Sequence, residues 1–145
     1  MHAAAALVDR PQLADWTTIL RLSLHVLAAS VWVGGQFVVA GLLPTVRGFG
    51  DTAPRRIAQA FARLSWPAFG LLIVTGFWNY AAIDHRHATS SWSMVFGVKM
   101  ILVVAAGVGT YLHTRATTPR GKGLWAGIGT LASVAALVLG VALAG

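Results

Sequence analysis

The chain has 145 residues, of which 57% are apolar and only 10% are charged, and its formal charge is +7. Such a small number of charged side chains cannot cover the surface of a soluble globule, and the composition is typical of a membrane protein. Cysteine is absent, which excludes disulfides, thiolate zinc sites, iron–sulfur clusters and covalently attached c-type haem. Any metal must therefore be held by histidine, methionine or oxygen.

The chain begins without the apolar core and small-residue cleavage site of a signal peptide, and we interpret 1–17 as a short interfacial segment. Four later segments are apolar over the length of about 20 residues that a helix needs to cross the hydrocarbon. They run over 22–46, 64–83, 94–113 and 124–144. The predicted fold is an all-α membrane protein, with one domain over 18–145 that forms a four-transmembrane-helix up-down bundle.

Lysine and arginine are divided unevenly between the two ends of this predicted bundle. Seven lie on the side reached after the first and third helices, and three lie on the other side. The positive-inside rule then predicts a multi-pass protein of the bacterial inner membrane with both termini outward. Because these charges flank helices and suit anionic headgroups, we expect the lipid bilayer as a partner and no nucleic acid.

Three of the predicted helices carry polar side chains at a similar depth. A rise of about 1.5 Å per residue predicts one polar layer in the outer half of the bundle. The layer comprises His25, Thr75, Trp78, Asn79 and Lys99. Residues spaced i, i+4, i+7 and i+11 share a helix face, and an ionisable group that faces lipid is costly. We therefore expect the polar stripes to face one another. The predicted cofactor-binding residues are His25, Trp32, Gln36, Thr75, Asn79 and Lys99.

Each of these residues also has a purely structural interpretation. On that interpretation His25 is a hydrogen-bonded packing histidine and Lys99 snorkels to the outer interface. Tryptophans are commonly belt or packing residues in membrane proteins, although Trp32 is too deep for the belt.

The turn DHRH at 84–87 has two interpretations as well. It is either an ordinary solvated turn or a metal-entry patch, because His85 and His87 place two imidazoles beside a carboxylate. The predicted metal ligands are His25, His85 and His87.

Three runs together resemble the membrane domain of the copper-resistance protein D (CopD) family: HVLAASVWVGG at 25–35, RLSWPAFGLLIVTGFWN at 63–79 and FGVKMILVVAAGVGTYLHTR at 96–115. The resemblance covers the first three helices and implies a protein that binds copper or transports it across the membrane. Longer members of the CopD family resemble bundles of more than four helices, so we expect this chain to form a homodimer or to pair with a partner membrane subunit. The positions carried over are His25, Trp32, Gly34, Gly35, Thr75, Gly76 and Lys99.

The chain is also similar to the HemJ-type protoporphyrinogen oxidases, which are small haem-associated membrane proteins with a comparable histidine, tryptophan and lysine. This resemblance implies haem b in place of copper, with His25 as the axial ligand and Lys99 or Arg21 beside a propionate. A fixed cation repels copper, so Lys99 fits haem better, whereas the motifs fit CopD better. Copper binding or transport, without enzyme activity, is the first prediction, and a haem-linked oxidoreductase is the alternative.

A third alternative is a non-catalytic assembly subunit of a membrane complex. It rests on a stripe of small residues along the fourth helix, whose spacing is typical of close helix contacts. The stripe comprises Gly129, Ser133, Ala136 and Gly140.

Overall fold

The computed structural model describes residues 13–84, 86 and 88–144, and the regular structure of these residues is entirely helical. Four helices in this part of the chain are long and apolar enough to span a membrane, by length and composition. They contain 32, 29, 26 and 26 residues. The predicted helical class and the number of long helices are confirmed. The helices are α1 (Trp16–Arg47), α2 (Ala53–Ala81), α3 (Ser90–Arg115) and α4 (Pro119–Ala144).

Each helix begins before its apolar segment, and in α1 and α3 a polar side chain caps the first turn. Helix α1 begins at Trp16, inside the predicted interfacial segment, and Asp15 is its N-cap. The Asp15 carboxylate accepts hydrogen bonds from the backbone N–H groups of Thr17 and Thr18 and from the Thr17 hydroxyl. These bonds, above all the one from the Thr17 side chain, hold the pKa of Asp15 well below its usual value.

The hydrogen-bonding pattern of α1 changes in the middle of the helix. The segments Trp16–Ala29 and Gly35–Arg47 are α-helical, whereas Ser30–Gly34 between them is a π turn. A π turn accommodates an extra residue and rotates the following side chains around the axis. The turn carries Trp32, whose side chain is only 2% exposed.

Glycines allow the closest approaches between helices. A Cβ atom added to Gly109 of α3 would lie 2.8 Å from the backbone nitrogen of Gly129 of α4, so the two backbones are in direct contact. Gly35 of α1 instead lies against the side-chain ring of Phe61 on α2. Small residues on the first three helices, which would allow close approach of the backbones, include Gly34, Gly35, Gly76 and Gly97. Of these four, only Gly35 and Gly76 have a neighbour within 4 Å of an added Cβ, at Gly76 the His25 ring.

The buried side chains are mostly small, and the large apolar side chains point outward. Alanine supplies most of the buried apolar positions, whereas Ile101 and Leu131 are 70% and 72% exposed. Small residues at helix interfaces and large apolar residues outside are the arrangement expected of helices packed within lipid. The buried apolar residues are Ala28, Trp32, Ala68, Ala106, Ala132 and Ala136.

Candidate functional site

The half-buried side chain of His25 is held through one of its two ring nitrogens. Its Nδ1 atom lies 2.8 Å from the hydroxyl oxygen of Thr75 on α2. Thr75 is 1% exposed, and its hydroxyl lies 2.7 Å from the Leu71 carbonyl and 3.3 Å from the Leu72 carbonyl, to which it can donate its single proton. With the hydroxyl proton on the Leu71 carbonyl, Thr75 accepts from His25, and the tautomer that matches this arrangement carries its proton on Nδ1. The lone pair of the neutral ring is then on Nε2, which is free to bind a ligand.

A second set of hydrogen bonds joins α1 to α2 one turn from His25. Arg21 donates from Nη1 to the Asn79 side-chain oxygen at 2.9 Å and from Nη2 to the Thr18 hydroxyl at 3.2 Å. Asn79, predicted in the layer of His25, is therefore engaged by Arg21. The His25–Thr75 and Arg21–Asn79 hydrogen bonds together fix the register of α1 against α2 around the histidine.

Lys99 approaches the same region from α3. Its Nζ atom lies against α4, 3.0 Å from the position of a Cβ added to Gly140. Lys99 and His25 are close enough for a charge on one to act on the other. No hydrogen bond or ion pair joins Lys99 to another residue of the described ranges, and the four helices contain no aspartate or glutamate. We call the set Arg21, His25, Thr75, Asn79 and Lys99 the His25 cluster.

Trp32 and Gln36 belong to a different group, which we call the Trp32 cluster: Trp32, Gln36, Thr130 and Ser133. The indole N–H of Trp32 donates to the Ser133 hydroxyl of α4 at 3.0 Å, and Ser133 donates to the Gly129 carbonyl at 2.7 Å. The Gln36 amide donates to the Trp32 carbonyl at 3.0 Å and accepts from the Thr130 hydroxyl at 2.8 Å. This cluster ties the π turn of α1 to α4.

Trp32 and Gln36, which we predicted to share a site with His25, lie apart from it for two physical reasons. They lie about 10 and 16 Å further along the helix axis. The π turn also changes the phase of α1, so the polar side chains before it face α2 and those after it face α4. The Trp32 ring remains in contact with α2 through the Phe69 ring, with the ring centroids 4.3 Å apart.

The described residues provide an incomplete set of copper ligands. No group of three histidine, cysteine, aspartate or glutamate side chains within them could hold a metal ion. His85 and His87, the other predicted ligands, lie outside the described residues. Copper is usually held by several nitrogen or sulfur donors, and here His25 is the one imidazole of the His25 cluster. The His25 cluster therefore offers one imidazole nitrogen.

Sequence reasoning missed the functions of several residues on α4. Ser133 and Thr130 complete the Trp32 cluster, and Gly140 supports Lys99. Polar residues three positions apart in an otherwise apolar helix were the available signal. The small-residue stripe of α4 therefore packs inside this chain, and it offers no argument for an assembly partner.

Comparison with models of protein families, with curated proteins and with solved structures gives no match. Within the described ranges, the Nε2 atom of His25 has no hydrogen-bond partner and Lys99 has no counter-ion.

Proposed function

We propose that the chain is a multi-pass protein of the bacterial inner membrane, with up-down helices and both termini outward. The pairs of contacting residues support this topology, because the residue number rises on one helix as it falls on its neighbour. Examples are Arg21 with Asn79 and Gly35 with Phe61 on α1 and α2, and Lys99 with Gly140 and Gly109 with Gly129 on α3 and α4. The exposed apolar side chains and the uneven distribution of arginine support membrane insertion.

Cysteine labelling tests the orientation. A cysteine at Ala88, between α2 and α3, should react with an impermeant thiol reagent in intact cells, whereas one at Thr52, between α1 and α2, should react only after lysis. The chain has no native cysteine to interfere. The reverse pattern would contradict the topology and the outward position of the His25 cluster.

Within this topology, His25 is the ligand of a metal-containing group. The single observation that carries this proposal is the hydrogen bond from Nδ1 to Thr75, which orients the ring and leaves Nε2 available. Metal-bound histidines characteristically donate their other ring N–H to a neighbouring oxygen in this way. A histidine needed only for packing gains nothing from a free nitrogen at membrane depth.

The charges of the His25 cluster favour haem b as this group. Lys99 and Arg21 bring two cations to the cluster, and the helices provide no carboxylate to balance them. A ligand that carries its own carboxylates supplies the missing anion, and haem b does so through its propionates. His25 would hold the iron and Lys99 a propionate, and the haem would supply one-electron chemistry. An oxidoreductase function is proposed only on this basis.

Copper binding or transport is the second candidate, and the CopD resemblance of the helix that carries His25 favours it. Imidazole is a good copper ligand, and the half-buried Met100 beside Lys99 could add a sulfur donor for Cu(I). The remaining donors would have to come from His85 and His87 or from a second copy or partner subunit. In this case Lys99 must be neutralised, which makes copper the weaker candidate.

An absorbance spectrum and metal analysis of the same purified sample distinguish the two candidates. A Soret band with stoichiometric iron is the expected result. Stoichiometric copper without a Soret band would identify copper, and not haem, as the bound group. His25 would remain the proposed ligand. If the purified protein contains neither iron nor copper after expression with both supplied, the proposal of a metal-containing group is contradicted.

A further inference from the structure

An apolar groove runs along the outside of α2 and α3, away from the His25 cluster. Its volume is about 400 Å³, and its walls are Trp66, Phe69 and Ile73 of α2 and residues of α3 between Val103 and Tyr111. Gly107 of α3 forms part of the floor of the groove. It lies so close to α2 that an added Cβ would be 2.9 Å from the Phe69 ring. The groove exists because the bulky α2 side chains stand beside a glycine of α3.

One end of this groove is positively charged. The Arg115 guanidinium lies over the Tyr111 ring, with its carbon 5.3 Å from the ring centroid, and Tyr111 itself lines the groove. Arg63, which is exposed, lies one turn before Trp66 on the other wall. Neither α2 nor α3 contains an acidic residue that could neutralise these arginines.

We propose that this groove binds one acyl chain of an anionic phospholipid, with the phosphate beside Arg115. The groove extends about 12 Å along α3 from Val103 to Tyr111. That length is close to the hydrocarbon depth of one leaflet, which is about 15 Å. The wall is apolar throughout this length, and the cations stand only where the headgroup would lie. The inference rests on the proposed membrane topology, which places Arg115 at the cytoplasmic surface.

Native mass spectrometry of the whole protein tests this proposal, after release from vesicles of equal phosphatidylglycerol and phosphatidylcholine. The wild type should retain phosphatidylglycerol in preference to phosphatidylcholine. Arg115→Gln should lower the retained phosphatidylglycerol about fivefold, the usual effect of one basic side chain beside an anionic lipid. Val108→Trp should fill the groove and abolish retention of either lipid.

Matched controls carry the same changes elsewhere. Val141→Trp places a tryptophan on a 68% exposed position of α4, and Arg47→Gln removes an exposed arginine at the end of α1. Both controls should retain lipid like the wild type. Equal retention of the two lipids, or unchanged retention in Val108→Trp and Arg115→Gln, would overturn the proposal. So would conversion of a dimer into a monomer by Val108→Trp, because a second copy would then be the occupant.

A separate experiment distinguishes failure of the proposed membrane topology from failure of the lipid site. Extraction of the protein from membranes by alkaline carbonate would contradict insertion itself. A protein that resists carbonate and shows the expected cysteine labelling, yet retains no phosphatidylglycerol, would contradict only the lipid site.

Discussion

Thr75 holds His25 by Nδ1 at 2.8 Å while its own proton goes to the Leu71 carbonyl. A threonine hydroxyl has one donor, so a hydroxyl that donates to Leu71 accepts from His25 and favours the tautomer with the proton on Nδ1. In that tautomer the lone pair of the neutral ring is on Nε2.

Thr75→Val should weaken cofactor binding without unfolding the bundle. Valine keeps the shape of threonine but cannot accept the Nδ1 proton, and loss of such a supporting partner costs about 10- to 100-fold in metal affinity. Thr75→Ser should retain most of the affinity because it keeps the hydroxyl. Titration of the cofactor into the purified apoprotein measures the difference, with Thr45→Val as an exposed control on α1. Equal affinities for the valine and serine variants would contradict a positioning role for Thr75.

Ser133→Ala should destabilise the protein by about 1–3 kcal/mol, because it leaves the buried indole N–H of Trp32 without its acceptor. Trp32→Phe in the Ser133→Ala background should restore part of the loss, since the unpaired donor is then absent. Thermal unfolding in detergent reports both changes, and Ser93→Ala at an exposed position is the control. If Ser133→Ala is as stable as that control, the hydrogen bond between α1 and α4 contributes little.

Two glycine substitutions should act in opposite directions. Gly109→Ala should destabilise the protein by about 1–3 kcal/mol, since its Cβ would lie 2.8 Å from the Gly129 backbone and α3 and α4 would have to separate. An alanine at Gly127 meets no atom within 4 Å. Gly127→Ala should therefore stabilise α4 by about 0.5–1 kcal/mol through helix propensity. Unfolding midpoints that shift in the same direction would contradict the proposed contact between α3 and α4.

The helical class and the number of long helices could be predicted because they depend on local composition. The ends of the helices could not, because they depend on caps such as Asp15 outside the apolar segments. Placing His25, Thr75 and Lys99 at one depth needed only the rise per residue and helices that alternate in direction. The hydrogen bond between His25 and Thr75 agrees with that estimate.

The composition of each cluster could not be predicted, because a regular helical period was assumed throughout α1. The π turn at Ser30–Gly34 breaks that period, and Gln36 consequently bonds to α4. No local signal in the sequence identifies the turn. The support of Lys99 by Gly140 also depends on the packing of α3 against α4, which periodicity alone does not fix.

The central claim is that His25 is the ligand of a metal-containing group, and its most direct test is cofactor occupancy in His25→Ala. His113→Ala is the matched control, because His113 bonds to the Lys122 carbonyl at the opposite end of α3, about 20 Å from the level of Lys99. The bound iron or copper, and any Soret band, should disappear in His25→Ala while the protein still purifies as a folded bundle, and should persist in His113→Ala. Full occupancy in folded His25→Ala would contradict the claim and leave His25 as a packing residue bonded to Thr75.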